Sequence, residues 1–298
     1  MTRFHADLTL ARFLPKAVLG PRIFGVVRRG AALQPGVRGV EVVEVAPGVS
    51  ARIHRPPVDG HAPVAGVLYL HGGGYVIGTA KLGDRFCAPL ARHLGVLVAA
   101  VDYRLAPEHP YPAALEDAHA ALGWLAAQPE VDASRLALVG DSAGAGLAAA
   151  LALRVRDLGE VRPAVQVLSY PMLDDRTTDG GIDEQVVRMW SADSNRFGWS
   201  AYLGDLADGD VPGTAAPARA EDLAGLPPAW IGVGTNDLFH AEDVAWAHRL
   251  EAANVPCELV EVEGAYHGFD AVEPRAEVSR AFLRARIDTL RSALTARG

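Results

Sequence analysis

The sequence predicts an α/β fold: a mostly parallel central sheet of about eight strands, with helices on both faces. Three observations predict it. From about residue 40 onward, short β-like runs alternate with runs of helical periodicity. The strand-like runs are continuously apolar, as strands covered on both faces require. Their alternation with helices implies right-handed βαβ crossovers within one domain.

Taken in order, residues 40–45 and 51–55 read as two strands joined at Pro47-Gly48, a hairpin that adds an antiparallel edge. Residues 66–70 form a short apolar strand, and 96–101 form another, followed by Asp102 and a proline-rich loop to Pro112. Residues 115–127 carry apolar side chains at helical spacing. A strand at 136–139 leads into an almost wholly apolar helix at 145–155. Strands at 165–168 and 229–233, a helix at 241–253, a strand at 257–262 and a closing helix at 273–296 complete the pattern.

Two segments break the alternation, residues 1–35 and 174–217. The second is polar but holds Trp190, Phe197, Trp199 and Tyr202. It reads as a long surface loop or as a helical insertion, and its aromatic residues favour a cap over a pocket.

Half of the 298 residues are hydrophobic and 21% are charged, which suits a globular protein with a substantial core. The net charge is −8 with no basic block, so nucleic acid and anionic membrane surfaces are poor partners. No apolar run reaches the length of about 18 residues that suggests a membrane span. Arg12, Pro15 and Lys16 interrupt the N-terminal apolar residues, so no signal-peptide core is visible and a cytoplasmic location is expected. Cys87 and Cys257 are far apart, in no metal-ligand spacing, and read as free thiols.

The chemistry centres on "GDSAG" at residues 140–144. A serine between two glycines, with a strand before it and a helix after it, is the setting of a nucleophile on a sharp turn. Glycines are needed because side chains there would strike neighbouring backbone. The helix that follows directs its N-terminal amides at the serine.

Ser142 needs a base and an orienting acid. Only His240, His248 and His267 follow it. His248 lies inside a helical run and His240 at a helix start. His267 lies in "GAYHGFD", after the last strand, where such folds place their sites. Asp237 follows the strand ending near Val233, while Glu242 and Asp243 open the next helix, where acidic residues favour the dipole. The triad is therefore Ser142, Asp237 and His267. "HGGG" at 71–74, directly after a strand, supplies an oxyanion hole through the N–H groups of Gly73 and Gly74, with Ala143 as a third donor. His71 reads as bracing that loop. Asp141 reads as bracing the turn, and Arg104 and Glu108 as fixing the loop beside the site. Tyr75, Trp190, Phe197 and Trp199 could line an acyl pocket, although packing explains them equally well. His240, Glu242 and Asp243 match no standard metal spacing and read as a solvated helix start.

These motifs resemble a known family. HGGG at 71–74, "DYRLAPEHPYPAALED" at 102–117, GDSAG at 140–144, "PARAEDLAGLPPAWI" at 217–231, "DLFHAED" at 237–243 and "HGF" at 267–269 together resemble the bacterial hormone-sensitive-lipase-like esterases (family IV lipolytic enzymes) of the α/β-hydrolase superfamily. The resemblance implies an α/β-hydrolase domain over residues 36–298, with a cap built from residues 1–35 and an insertion at about 174–217. It implies Ser142, Asp237 and His267 as triad and Gly73, Gly74 and Ala143 as oxyanion donors. It further implies short- to medium-chain acyl esters as substrates, no cofactor or metal, and a homodimer formed through a sheet edge. Ala241 and Ala145 depart from the family pattern, and the cap matches only loosely. The same triad could serve an amide, carbamate or lactone bond, and the same fold could serve as a non-catalytic binding protein.

Overall fold

The computed structural model describes all residues except 1–2, 18, 21–23, 58–61, 179–180, 208 and 296–298. The expected end of the closing helix at residue 296, and parts of the segments 1–35 and 174–217, lie outside the described residues.

Helix α1 (Phe24–Ala32) precedes the sheet. Strand β1 (Glu41–Ala46) turns at Gly48, which takes φ +76°, into β2 (Val49–His54). There follow β3 (Val64–Leu70), α2 (Asp84–Leu94), β4 (Leu97–Asp102), α3 (Ala113–Ala126), β5 (Val131–Asp141) and α4 (Ala143–Leu158). Then come β6 (Val165–Ser169), α5 (Ala192–Leu203), β7 (Ala229–Gly234), α6 (His240–Ala252), β8 (Cys257–Val262), α7 (Phe269–Val272) and α8 (Glu277–Thr295).

The eight strands form one sheet in the order β1-β2-β4-β3-β5-β6-β7-β8. β2 pairs antiparallel with β1 and β4, and every other pairing is parallel. The β-period of two sends alternate side chains to opposite faces. Leu68, Leu70, Leu136 and Leu138 pack with Leu115 and Leu122 of α3, Leu147 and Leu151 of α4 and Leu250 of α6. Val67, Tyr69, Ala137 and Val139 face Leu90 of α2 and Phe282 and Leu290 of α8. Leu147 and Leu151 are fully buried, each contributing roughly 2 kcal/mol relative to exposure.

Helices α1 and α2 are not marked by the sequence pattern, and α2 carries Pro89 in its interior. β5 begins before the expected residue 136 because Val131 also pairs, with Val64, and the register shifts between that pair and the next, Gly66 with Leu136. The closing helix begins at Glu277, after a separate turn of helix, α7.

The two segments that break the alternation meet each other. Arg188 Nε donates to the Ala11 carbonyl at 2.7 Å, and Met189 N–H donates to Pro15 at 2.9 Å. Ser194 Oγ donates to the Leu19 carbonyl, and Phe24 packs on Phe197 with ring centroids 5.4 Å apart. The predicted site residues lie at the C-terminal ends of four strands: the HGGG loop after β3, Ser142 after β5, Asp237 after β7 and His267 after β8.

Candidate active site

Ser142 sits between β5 and α4 with φ +55° and ψ −122°, a conformation costly for a residue with a side chain, of order 1–3 kcal/mol. Surrounding bonds hold it there. Its N–H donates to the Ser169 carbonyl at 2.9 Å, and its own carbonyl accepts from Met172 N–H at 3.1 Å. The flanking glycines are dictated by backbone. A Cβ on Gly140 would lie 2.3 Å from the Gly144 carbonyl oxygen, and one on Gly144 would lie 2.1 Å from that of Leu70. The small residues thus let α4 approach β3 until its N-terminus lies beside the serine.

His267, in the loop between β8 and α7, reaches the same point. Its Nε2 lies 2.9 Å from Ser142 Oγ, and its Nδ1 lies 2.8 Å from Asp237 Oδ2. With Nδ1–H donating to the carboxylate, Nε2 is left to accept the serine proton. Asp237 Oδ1 accepts from Phe239 N–H at 3.0 Å, which fixes the carboxylate at the start of α6. Asp237 is 1% exposed, whereas Ser142 and His267 keep 6% and 8%. The rings of Tyr170 and Phe239 meet the imidazole edge-on at 4.9 and 5.3 Å.

The HGGG loop lies against this turn. A Cβ on Gly72 would stand 3.0 Å from the Asp141 carbonyl oxygen and 3.3 Å from Ser142 Cβ. Gly73 and Gly74 take φ +128° and +59°, conformations open to glycine. His71 is buried, stacks on Tyr103 at 4.2 Å, and directs Nδ1 to the Gly72 carbonyl. Burial pulls its pKa below the ordinary imidazole value. Arg104 forks onto Asp117, and Glu108 pairs with Arg28 of α1.

The four aromatic residues expected near an acyl pocket separate. Trp190 comes to the reacting groups: its ring lies 6.2 Å from His267, and its Cη2 would be 2.1 Å from a Cβ on Gly74. Tyr75 and Trp199 lie instead in a buried aromatic cluster with Tyr202, Tyr75 stacking on Tyr202 at 3.8 Å. Phe197 faces Phe24 of α1.

One expectation is corrected. Glu242 and Asp243 are not a solvated helix start but are buried, at 8% and 0% exposure. Glu242 Oε1 accepts from the N–H groups of Leu173 and Asp174 at 2.7 and 3.2 Å, and Thr177 Oγ1 donates to Oε2. The loop after β6 folds over α6 and needs an acceptor there. Burial raises the Glu242 carboxyl to about 8 and that of Asp243 well above its ordinary range. His240 is bonded to Glu261, and His248 is exposed. Among the described residues no cluster of His, Cys, Asp and Glu could hold a metal ion, and no helix is long and apolar enough to cross a membrane. Cys87 and Cys257 are both free.

This sheet order, with a serine on a strained turn and a histidine and carboxylate in line, defines the α/β hydrolases. The profile of the family described as having the α/β-hydrolase fold matches residues 67–271, and the chain belongs to that family, in its hormone-sensitive-lipase-like branch. It is 37% identical over 254 residues to esterase LipI of Mycobacterium tuberculosis, covering 80% of this chain and 76% of that protein. It is 37% identical over 229 residues to an ethyl acetate hydrolase of Pseudomonas putida, covering 73% and 70%. Among solved structures, a bacterial heroin esterase superposes with a TM-score of 0.86 at 33% identity, covering 99% of each chain.

Proposed function

We propose that this chain is a serine carboxylesterase that hydrolyses short- to medium-chain acyl esters, with preference for the short end. The observation that carries the reading is the line Asp237–His267–Ser142, with contacts of 2.8 and 2.9 Å. His267 Nε2 takes the Ser142 proton as Oγ attacks the ester carbonyl. The N–H groups of Gly73, Gly74 and Ala143 receive the oxyanion, each such donor typically worth roughly 3 kcal/mol. The imidazolium, stabilised by Asp237, then protonates the leaving alcohol, and the acyl group remains on Ser142. Water, deprotonated by the same histidine, attacks the acyl-enzyme and frees the carboxylic acid and Ser142. Nucleophile, base and oxyanion donors are all protein groups, so the reaction requires no cofactor.

Trp190 supports the short-chain preference. It packs on Gly74 and stands beside His267, so it narrows the space an acyl chain would enter. The relative named ethyl acetate hydrolase acts on an acetyl ester, which agrees with that preference. Residues 1–35 and 174–217 act as the cap, a role supported by their mutual hydrogen bonds and by the approach of α5 to the HGGG loop, where a Cβ on Gly198 would be 2.9 Å from the Gly74 carbonyl. The half-exposed β8 edge is the surface for a homodimer, and the cytoplasm is the location the sequence favours.

The test is hydrolysis of p-nitrophenyl esters of graded chain length by wild type and Ser142→Ala. A rate highest on the shortest esters and absent in the variant is expected. Equal rates in the two proteins would end the serine mechanism, and no rate on any ester would move the reaction to another acyl bond.

A further inference from the structure

Behind the nucleophile turn lies a buried charged cluster that the reaction steps above do not use. Arg286 projects from α8 and is 2% exposed. Its Nη2 donates to Asp141 Oδ1 at 2.7 Å, and its Nη1 lies 3.6 Å from Asp270 Oδ2. The other oxygen of Asp141 accepts from Tyr69 Oη at 2.6 Å. The other oxygen of Asp270 accepts from Tyr170 Oη at 2.9 Å.

The sequence positions of these partners matter. Asp141 directly precedes Ser142, and Asp270 follows His267 by three residues. Tyr170 meets the His267 ring edge-on at 4.9 Å and follows Ser169, whose carbonyl accepts the Ser142 N–H. One guanidinium therefore joins the strand end that carries the serine to the loop that carries the histidine. The Phe86 ring covers the joint, 4.4 Å from the guanidinium carbon.

Stability alone is a poor reason for such a cluster. A buried ion pair often gives no more stability than apolar residues of the same volume. The Nε of Arg286 is also left without a hydrogen-bond partner among the described residues, an uncompensated cost. What the guanidinium supplies, and an apolar side chain would not, is a rigid planar fork that fixes two carboxylates at a set separation.

We propose that Arg286 is a positioning residue for catalysis. Through Asp141 and Asp270 it holds Ser142 Oγ and His267 Nε2 at transfer distance, and Tyr170 carries the same restraint to the imidazole. The inference rests on reading Ser142 as nucleophile and His267 as base. Without the fork, the two loops would keep their fold but lose their fixed spacing, and misplacement of reacting groups by about 1 Å can cost on the order of 100-fold.

The experiment uses the full chain and p-nitrophenyl acetate, comparing wild type, Ser142→Ala, Arg286→Met, Arg286→Lys and Tyr170→Phe, each with its melting temperature. Arg286→Met should lower kcat by about 30-fold with KM changed less than about twofold, as lost alignment predicts. Arg286→Lys should recover part of that loss. Tyr170→Phe keeps the ring against His267 and removes only the bond to Asp270; kcat should fall about threefold. A folded Arg286→Met with wild-type kcat would overturn the proposal. If Arg286→Met does not fold, Tyr170→Phe decides, and an unchanged kcat there overturns it. An inactive wild type, or an active Ser142→Ala, would instead overturn the esterase reading and this inference with it.

Discussion

The turn at residues 140–144 and the insertion at 174–217 approach the same site, yet sequence specifies them differently. In the turn, backbone dictates each residue: Gly144 is a glycine because the Leu70 carbonyl lies 2.1 Å from where a Cβ would be. In the insertion, backbone constrains single positions such as Gly198, whose Cβ would be 2.9 Å from the Gly74 carbonyl, but Gly209 has nothing nearer than 3.7 Å. Ring packing, Phe197 on Phe24 and Trp199 on Tyr75, ties the segment to its neighbours. A segment held by backbone geometry tolerates few sequences and carries a motif. A segment held by apolar packing tolerates many, as long as volume is conserved, and carries none.

The largest effect should come from the chemistry at the turn. Ser142→Ala and His267→Ala should each lower kcat by at least about 10⁴-fold with the fold intact, and the double variant should be no worse than either alone. Steady-state kinetics on p-nitrophenyl acetate, with circular dichroism as a control, check this. Additive losses would show that the two residues do not act as one unit.

Next is a direct comparison of the two regions through glycine. Gly144→Ala should destabilise by about 4 kcal/mol or more, or fail to fold, since its Cβ meets backbone. Gly209→Ala should stay within about 0.5 kcal/mol. Urea unfolding of both variants would break the comparison if the two costs were similar.

Trp190 is where the 174–217 segment comes near the proposed base, its ring 6.2 Å from that of His267. Trp190→Leu should raise the ratio of kcat/KM for octanoate over acetate by about tenfold, within the range that apolar pockets achieve per methylene. An unchanged ratio would remove Trp190 from the acyl side of the site.

Smaller still is a pH effect at Glu242, which joins α6 to the loop leading into the insertion. Its carboxyl titrates at about 8 in the fold and near 4.5 when exposed, with burial the main cause. Between those values the folded chain holds a proton that the unfolded chain has released. The stability tied to that proton is present below about pH 4.5 and is lost as pH rises through about 8. The melting temperature should therefore fall from pH 5 to pH 8, and Glu242→Gln should flatten that slope. An unchanged slope would assign the effect elsewhere.

The smallest effect concerns strain. Ser142 at φ +55° occupies a region that favours glycine. Ser142→Gly should be more stable than Ser142→Ala by about 1 kcal/mol, both being inactive. Equal melting temperatures would mean that the turn stores no strain.

The sheet, its parallel order and the meeting of Ser142, Asp237 and His267 were legible because each leaves a local signature: continuous apolar runs, a G-x-S-x-G turn, and an acid and a histidine after later strands. Glu242 misled because the first turn of α6 reads as a dipole position, while its burial comes from a loop 69 residues earlier in the chain. Arg286 was invisible for the same reason. Nothing in α8 signals that one of its arginines reaches a strand end 145 residues away. Trp190, Phe197, Tyr75 and Trp199 looked alike in sequence, and only the path of the chain separates the first from the others.

The central claim is that Ser142 forms the covalent intermediate. Intact-mass spectrometry after treatment with a p-nitrophenyl alkylphosphonate, followed by peptide mapping, measures it directly. One adduct per chain, on the peptide containing Ser142 and absent in Ser142→Ala, is the predicted result. An adduct on another residue, or ester hydrolysis that continues at full rate in a fully phosphonylated protein, would contradict it.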